Sequence, residues 1–79
     1  MKEKELLSRI VVDPKVMVGK PIIKGTRLTV QYILGLLAQG MTTQEIIQEY
    51  KNLTKEDILA CLTFARDALA DTTFAPLSV

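Results

Sequence analysis

The side chains in this chain that could do chemistry are mainly cations, and they are gathered. Positions 14–44 hold Lys15, Lys20, Lys24 and Arg27 with no carboxylate among them, a block of charge +4. Gly19 and Gly25 stand within the same stretch, in the string Gly19-Lys20-Pro21-Ile22-Ile23-Lys24-Gly25-Thr26-Arg27. Cations and backbone amides presented by glycine turns are the means by which proteins hold phosphate oxygens. The string reads equally as a hairpin whose glycines serve turns and whose cations are solvated, and both readings stay open. It is not a nucleotide-binding loop, because the Gly-Lys-Ser/Thr ending is absent. Positions 45–79 carry three bases against six acids, so the chain is electrically polarised although its net charge is only +1.

Other chemistry is excluded by what is missing. With no His, there is no imidazole base, catalytic triad or His metal site. A lone Cys61 makes no intramolecular disulfide, zinc knuckle or CxxC pair, and it reads as a small buried apolar residue. Glu45, Glu49, Glu56 and Asp57 stand at helix starts or on exposed faces, where capping and solvation account for them better than acid–base catalysis. The expectation is a protein that is not an enzyme and uses no metal or other cofactor. No signal peptide or membrane-spanning run is read, and a cytoplasmic location is expected.

These residues must be positioned by a single small domain of about 70 residues, followed by a tail over 71–79. The first third reads as extended. Ile10-Val11-Val12 is stopped by Asp13-Pro14, Val16-Met17-Val18 follows, and Ile22-Ile23 ends at Lys24-Gly25-Thr26-Arg27, where Gly25 suits a positive φ. Strands this short must lie against helices or pair with another chain. Val30, Ile33, Leu34 and Leu37 then recur at helical spacing up to Gly40, a C-terminal cap. Thr42 and Glu45 form a capping box for a second helix bearing Ile46, Ile47 and Tyr50, which Asn52 in a left-handed conformation would end. Thr54 caps a third helix, with Ile58, Leu62, Ala65 and Leu69 expected to face the core. The fold class expected is mainly α: a three-helix helix-turn-helix domain (homeodomain-like or winged-helix-like) preceded by short N-terminal β-strands. The third helix opens with Glu56 and Asp57, which are poor company for phosphate, so by itself it reads better as a packing helix.

Val12-Asp13-Pro14, followed by the string from Gly19 to Val30, resembles a known family closely. Gly40-Met41-Thr42, Glu45-Ile46, Tyr50 and Leu53 to Ile58 continue it in the same order and spacing. The chain resembles the small prokaryotic family catalogued as domain of unknown function 433 (DUF433), over about residues 9–70. That resemblance implies a helix-turn-helix fold preceded by strands, and the role of an antitoxin-like partner in a toxin–antitoxin module, often beside a PIN-like ribonuclease toxin. It also marks Gly19, Lys20, Pro21, Gly25, Thr26 and Arg27 as signature residues. After Tyr50, where the family often has Pro, this chain has Lys51, which adds one base at that turn.

Two functions are therefore expected as alternatives. One is a DNA-binding antitoxin or autoregulator, with Lys20, Lys24, Arg27, Lys55, Thr63 and Arg66 as DNA-contacting candidates. Gly19, Pro21, Gly25 and Thr26 would shape its turns. The other is a module of the same fold that binds a partner protein and never touches DNA. A basic face continuous from Lys20 to Arg66 would favour the first, and basic and acidic patches on opposite sides the second. A homodimer is expected from the unsupported strands and the aliphatic surplus. Phe74, Leu77 and Val79 in the tail are expected to dock on a partner.

Overall fold

The computed structural model describes residues 2–70. They form four α-helices and a short two-stranded antiparallel sheet near the N-terminus: α1 (Glu3–Leu7), β1 (Ile10–Val12), β2 (Pro21–Ile23), α2 (Val30–Ala38), α3 (Thr43–Glu49) and α4 (Lys55–Leu69). The tail expected to bind a partner, with Phe74, Leu77 and Val79, lies outside the described residues. None of the helices described is long and apolar enough to cross a membrane.

The first helix departs from the extended reading of the N-terminal third. Five residues cannot hold a helix alone in water. Here Glu3 and Glu5 occupy the first turn, where the dipole favours acids, and Leu6 is buried. α1 runs antiparallel to α4, with Glu3 meeting Arg66 and Arg9 meeting Asp57.

β1 and β2 pair in the register Ile10↔Ile23, Val11↔Ile22, Val12↔Pro21. Pro21, lacking an N–H, stands at the end of the ladder, where its missing donor costs least. The connection holds a second departure. Met17–Gly19 is not extended but a tight turn in which Met17 (φ 52°), Val18 (φ 54°) and Gly19 (φ 75°) are all left-handed. Val18 is 92% exposed, so no burial compensates its conformation. Gly25, at φ 81°, opens the turn from β2 into α2, as its place in the sequence predicts.

The three longer helices start where their caps dictate. Thr29 accepts from the Tyr32 amide (3.0 Å) to open α2. Thr42 and Glu45 form the expected capping box on α3. Thr54 does the same for α4 with Asp57, whose Oδ2 accepts from the Thr54 amide (3.0 Å). Gly40 is left-handed, at φ 99°. Asn52 is not, because α3 already stops at Tyr50, whose backbone is extended (φ −115°, ψ 90°).

The core is Ile23, Val30, Ile33, Ile46, Leu53, Ile58 and Cys61. Fully burying each such branched side chain is worth roughly 1.5–3 kcal/mol, and these residues bring β2, α2, α3 and α4 together. The face of α4 differs from the expected stripe. Ile58 is buried and Ala65 half-buried, but Leu62 (45% exposed) and Leu69 (53%) look outward. Ala60 and Cys61, both fully buried, take their place. α4 is covered from two sides, by α1 and by α2 with α3, and small residues fill those close contacts.

Candidate nucleic-acid interface

The signature string is first of all a structural device. Thr26 Oγ1 donates to the Ile23 carbonyl (2.8 Å) and accepts from the Leu28 amide (3.0 Å). The Ile23 amide donates to the Leu28 carbonyl (3.0 Å), and the Lys24 amide to the Arg9 carbonyl (2.8 Å). Gly25 and Thr26 thus close a self-supporting turn between β2 and α2, which leaves Arg27 outside and exposed.

That turn lies beside the α3–α4 connection. Thr26, Arg27 and Leu28 share a shallow concavity with Tyr50, Lys51 and Asn52. A second concavity brings Lys20 against the exposed side of α2, next to Gln31, Tyr32 and Gln39. The two are joined by an aromatic pair. The Tyr32 and Tyr50 rings meet edge to face, with centroids 6.0 Å apart and planes at 89°. Their hydroxyls are hydrogen-bonded to each other. The bond to Tyr32, followed by desolvation and by the neighbouring Tyr32 and Glu49 charges, pushes the Tyr50 phenol above its ordinary pKa. No carboxylate lines either concavity. Lys20, Arg27 and Lys51 therefore flank a pair of phenols, an arrangement suited to phosphate oxygens and to stacking against bases.

The other expected contacts lie elsewhere. Lys24, three residues before Arg27, is carried by the turn to the opposite neighbourhood, a concavity with Glu5, Ser8, Arg9 and Asp57. Lys55 is exposed at the start of α4. Thr63 spends its hydroxyl on the Leu59 carbonyl (2.9 Å). Arg66 is held by both oxygens of Glu3 (2.7 Å each) and by Asp67 (2.7 Å). Those bonds, the Glu3 bond first, raise the Arg66 pKa further and hold the Glu3 carboxyl below its ordinary value. A guanidinium engaged in this way is a poor phosphate ligand. The basic face consequently runs from Lys20 to Lys51 and does not extend to Arg66.

Asp57 joins the Arg9 guanidinium (3.2 Å), the cap of α4 and the buried Cys61. Desolvation, and after it the Asp57 charge, pushes the Cys61 thiol up to about 12, which suits a packing residue and not a nucleophile. Among the described residues, no three acidic, His or Cys side chains gather as a metal cluster would require. Lys51 and the tyrosine pair are the functional candidates that the sequence reading left out. The signal for Lys51 was the base it adds after Tyr50. Nothing local ties Tyr32 to Tyr50, which lies 18 residues away.

The fold and this face define a small helical module with a two-stranded N-terminal sheet and a basic, tyrosine-bearing turn surface. The model of the family described as "Protein of unknown function (DUF433)" matches residues 10–65, and the chain belongs to that family. The crystal structure of a DUF433 member from Anabaena variabilis superposes with a TM-score of 0.74 at 28% identity. That match covers 81% of this chain and 63% of the cyanobacterial one, so the present chain spans less than two thirds of that relative's length. An uncharacterized protein of Archaeoglobus fulgidus is 71% identical over 24 residues, 30% of this chain and 67% of its own.

Proposed function

We propose that this protein is a DNA-binding regulator of the antitoxin type, which grips the phosphate backbone through Lys20, Arg27 and Lys51. The observation that carries this reading is the setting of those three cations in two concavities lined by no carboxylate and joined by the Tyr32–Tyr50 hydroxyls, with Glu49 close enough to act on the Tyr50 phenol. The order α2, α3, α4 with tight capped turns supports a helix-turn-helix reading, in which the α3–α4 turn bearing Lys51 approaches the backbone. The outward side of α4 carries Leu59, Leu62 and an Arg66 already paired with acids. Such a helix offers little to base edges, so binding is dominated by phosphate contacts and is weakly sequence-specific.

A salt titration of binding to duplex DNA from its own promoter, alongside an unrelated duplex, tests this. Three neutralised phosphates per chain give a slope of log affinity against log salt of about −3 per protomer bound. Changing Lys20, Arg27 and Lys51 together to Ala should flatten the slope and weaken binding to both duplexes alike, whereas Lys24→Ala should do little. No binding at low salt, or a slope indifferent to the triple change, overturns the reading. The second reading, a module that binds a partner protein such as a PIN-like toxin without touching DNA, is favoured by the exposed leucines of α4.

A further inference from the structure

The loop between β1 and β2 holds strain in place and aims it at solvent. Met17 and Val18 are both left-handed, at φ 52° and 54°, a region that β-branched and bulky residues seldom enter. A slack loop would relax out of that conformation, but this one is tied. The Val16 amide donates to the Asp13 carbonyl (2.9 Å) and the Lys15 amide to the Asp13 carboxylate (2.9 Å). The Gly19 amide donates to the Val16 carbonyl (3.2 Å) and the Lys20 amide to the Met17 carbonyl (3.1 Å). The result is a fixed projection with an apolar tip, where Val18 is 92% exposed and Met17 41%. Backbone strain of this kind gathers at ligand clamps and binding sites, where the surrounding structure over-determines it.

We propose that Met17 and Val18 are an apolar wedge that enters the minor groove of the duplex whose phosphates Lys20 holds. This inference rests on the phosphate-binding reading and adds to it the place where the DNA is deformed. Lys20 stands two residues beyond Val18 and lines the concavity beside Tyr32, so the tip is continuous with the basic face. The other charges of the loop, Asp13 and Lys15, balance each other, and the Asp13 carboxylate is already bonded within the loop. Neither Met nor Val can read base edges by hydrogen bonding, but apolar side chains inserted from the minor groove do part stacked bases. A helix or a paired ribbon fills the major groove, about 12 Å wide, whereas a single turn suits a minor groove of about 6 Å. A tip held rigid before contact has less freedom to lose on binding, and the tied loop supplies that rigidity. Insertion of this kind kinks a duplex by roughly 20–90°. It should favour pyrimidine–purine steps, which unstack most readily.

Energy transfer between dyes on the two ends of a duplex of about 30 base pairs with a central TA step, titrated with the full chain at low salt, tests the proposal. Anisotropy follows binding in parallel. The parent should bring the ends together as it binds. Val18→Asn should reduce the bend, and Met17→Asn with Val18→Asn should abolish it while weakening binding by about tenfold, the scale of one lost apolar contact. Asn accepts the left-handed backbone, so Val18→Asn should melt no lower than the parent, which separates a lost wedge from a lost fold. The salt slope should be common to all three proteins, because no cation is changed. A parent that binds with the expected slope but leaves the duplex straight overturns the wedge alone. So does a double variant that bends DNA as the parent does. A double variant that binds DNA undiminished likewise overturns it and assigns the tip to a protein contact. Absence of any binding at low salt removes both the wedge and the phosphate-binding reading.

Discussion

Replacing Val18 should make this protein more stable, although Val18 touches almost nothing. Its backbone is left-handed (φ 54°, ψ 39°), a conformation that brings Cβ against the following carbonyl and costs an L-residue roughly 1–2 kcal/mol. Branching at Cβ places Val at the upper end of that range, whereas Asn visits the region readily. Because Val18 is 92% exposed, Val18→Asn gives up essentially no buried surface. The expected net gain is about 1 kcal/mol, which for a domain of this size raises Tm by about 4–8 °C. Val18→Gly removes the same strain but adds freedom to the unfolded chain worth roughly 0.5–1 kcal/mol, so it should gain less. Val18→Thr keeps the branch while replacing a methyl with a hydroxyl, and should leave Tm where it was. Reversible thermal unfolding followed at 222 nm reads all three. A lower Tm for Val18→Asn, or equal gains for Asn and Thr, would refute the reasoning, the second by tracing the effect to lost surface apolarity and not to the backbone.

Asp57→Asn cannot serve the Thr54 amide and the Arg9 guanidinium as the carboxylate does, so it should cost about 1–2 kcal/mol and lower Tm in the same melting experiment. Bonding to the Thr42 backbone and then to its side chain holds the Glu45 carboxyl below its ordinary value of 4.5. A group depressed in this way stabilises the fold above its unfolded pKa and loses that contribution as the pH falls through the folded one. Denaturant titrations from pH 6 down to 2.5 should therefore show a shallower acid decline for Glu45→Gln than for the parent. Cys61, buried and pushed up to about 12, should resist an aromatic disulfide reagent at pH 8 and react only as fast as the domain opens. Labelling at the rate of a free thiol would show that the core around it is not closed.

What the sequence made legible was what is local. The threonine caps at 29, 42 and 54 involve bonds three residues long, and the glycine turns at 25 and 40 follow from one missing Cβ, so neither depends on the rest of the fold. The left-handed Met17 and Val18 run against local preference and could not be read from it. The facing of α4 was misread because leucines weigh more than Ala60 and Cys61 in any periodicity, although it is the small residues that meet the closest neighbours. The candidate site divides along the same line. Lys20 and Arg27 were found through a local run of cations, and the turn at Gly25 then sent Lys24 to a different face. The capture of Arg66 by Glu3, across 63 positions, and the pairing of Tyr32 with Tyr50 are products of tertiary packing, for which a single sequence carries no local mark.

The docking of α1 along α4 also sets an order of events during synthesis. Of the described elements, the first to be made is a helix five residues long that cannot persist alone. The helix that holds it is the last of the described elements to be made. Until α4 has emerged, Leu6 has no surface to bury against and Arg9 has no carboxylate to meet. The N-terminal segment must wait as open chain, because α2 and α3 also find their main helical partner only in α4. Closure then joins the two ends of the domain in one late step. A bulky load placed ahead of α1 would thus burden that last step more than an equal load placed within the α2–α3 turn.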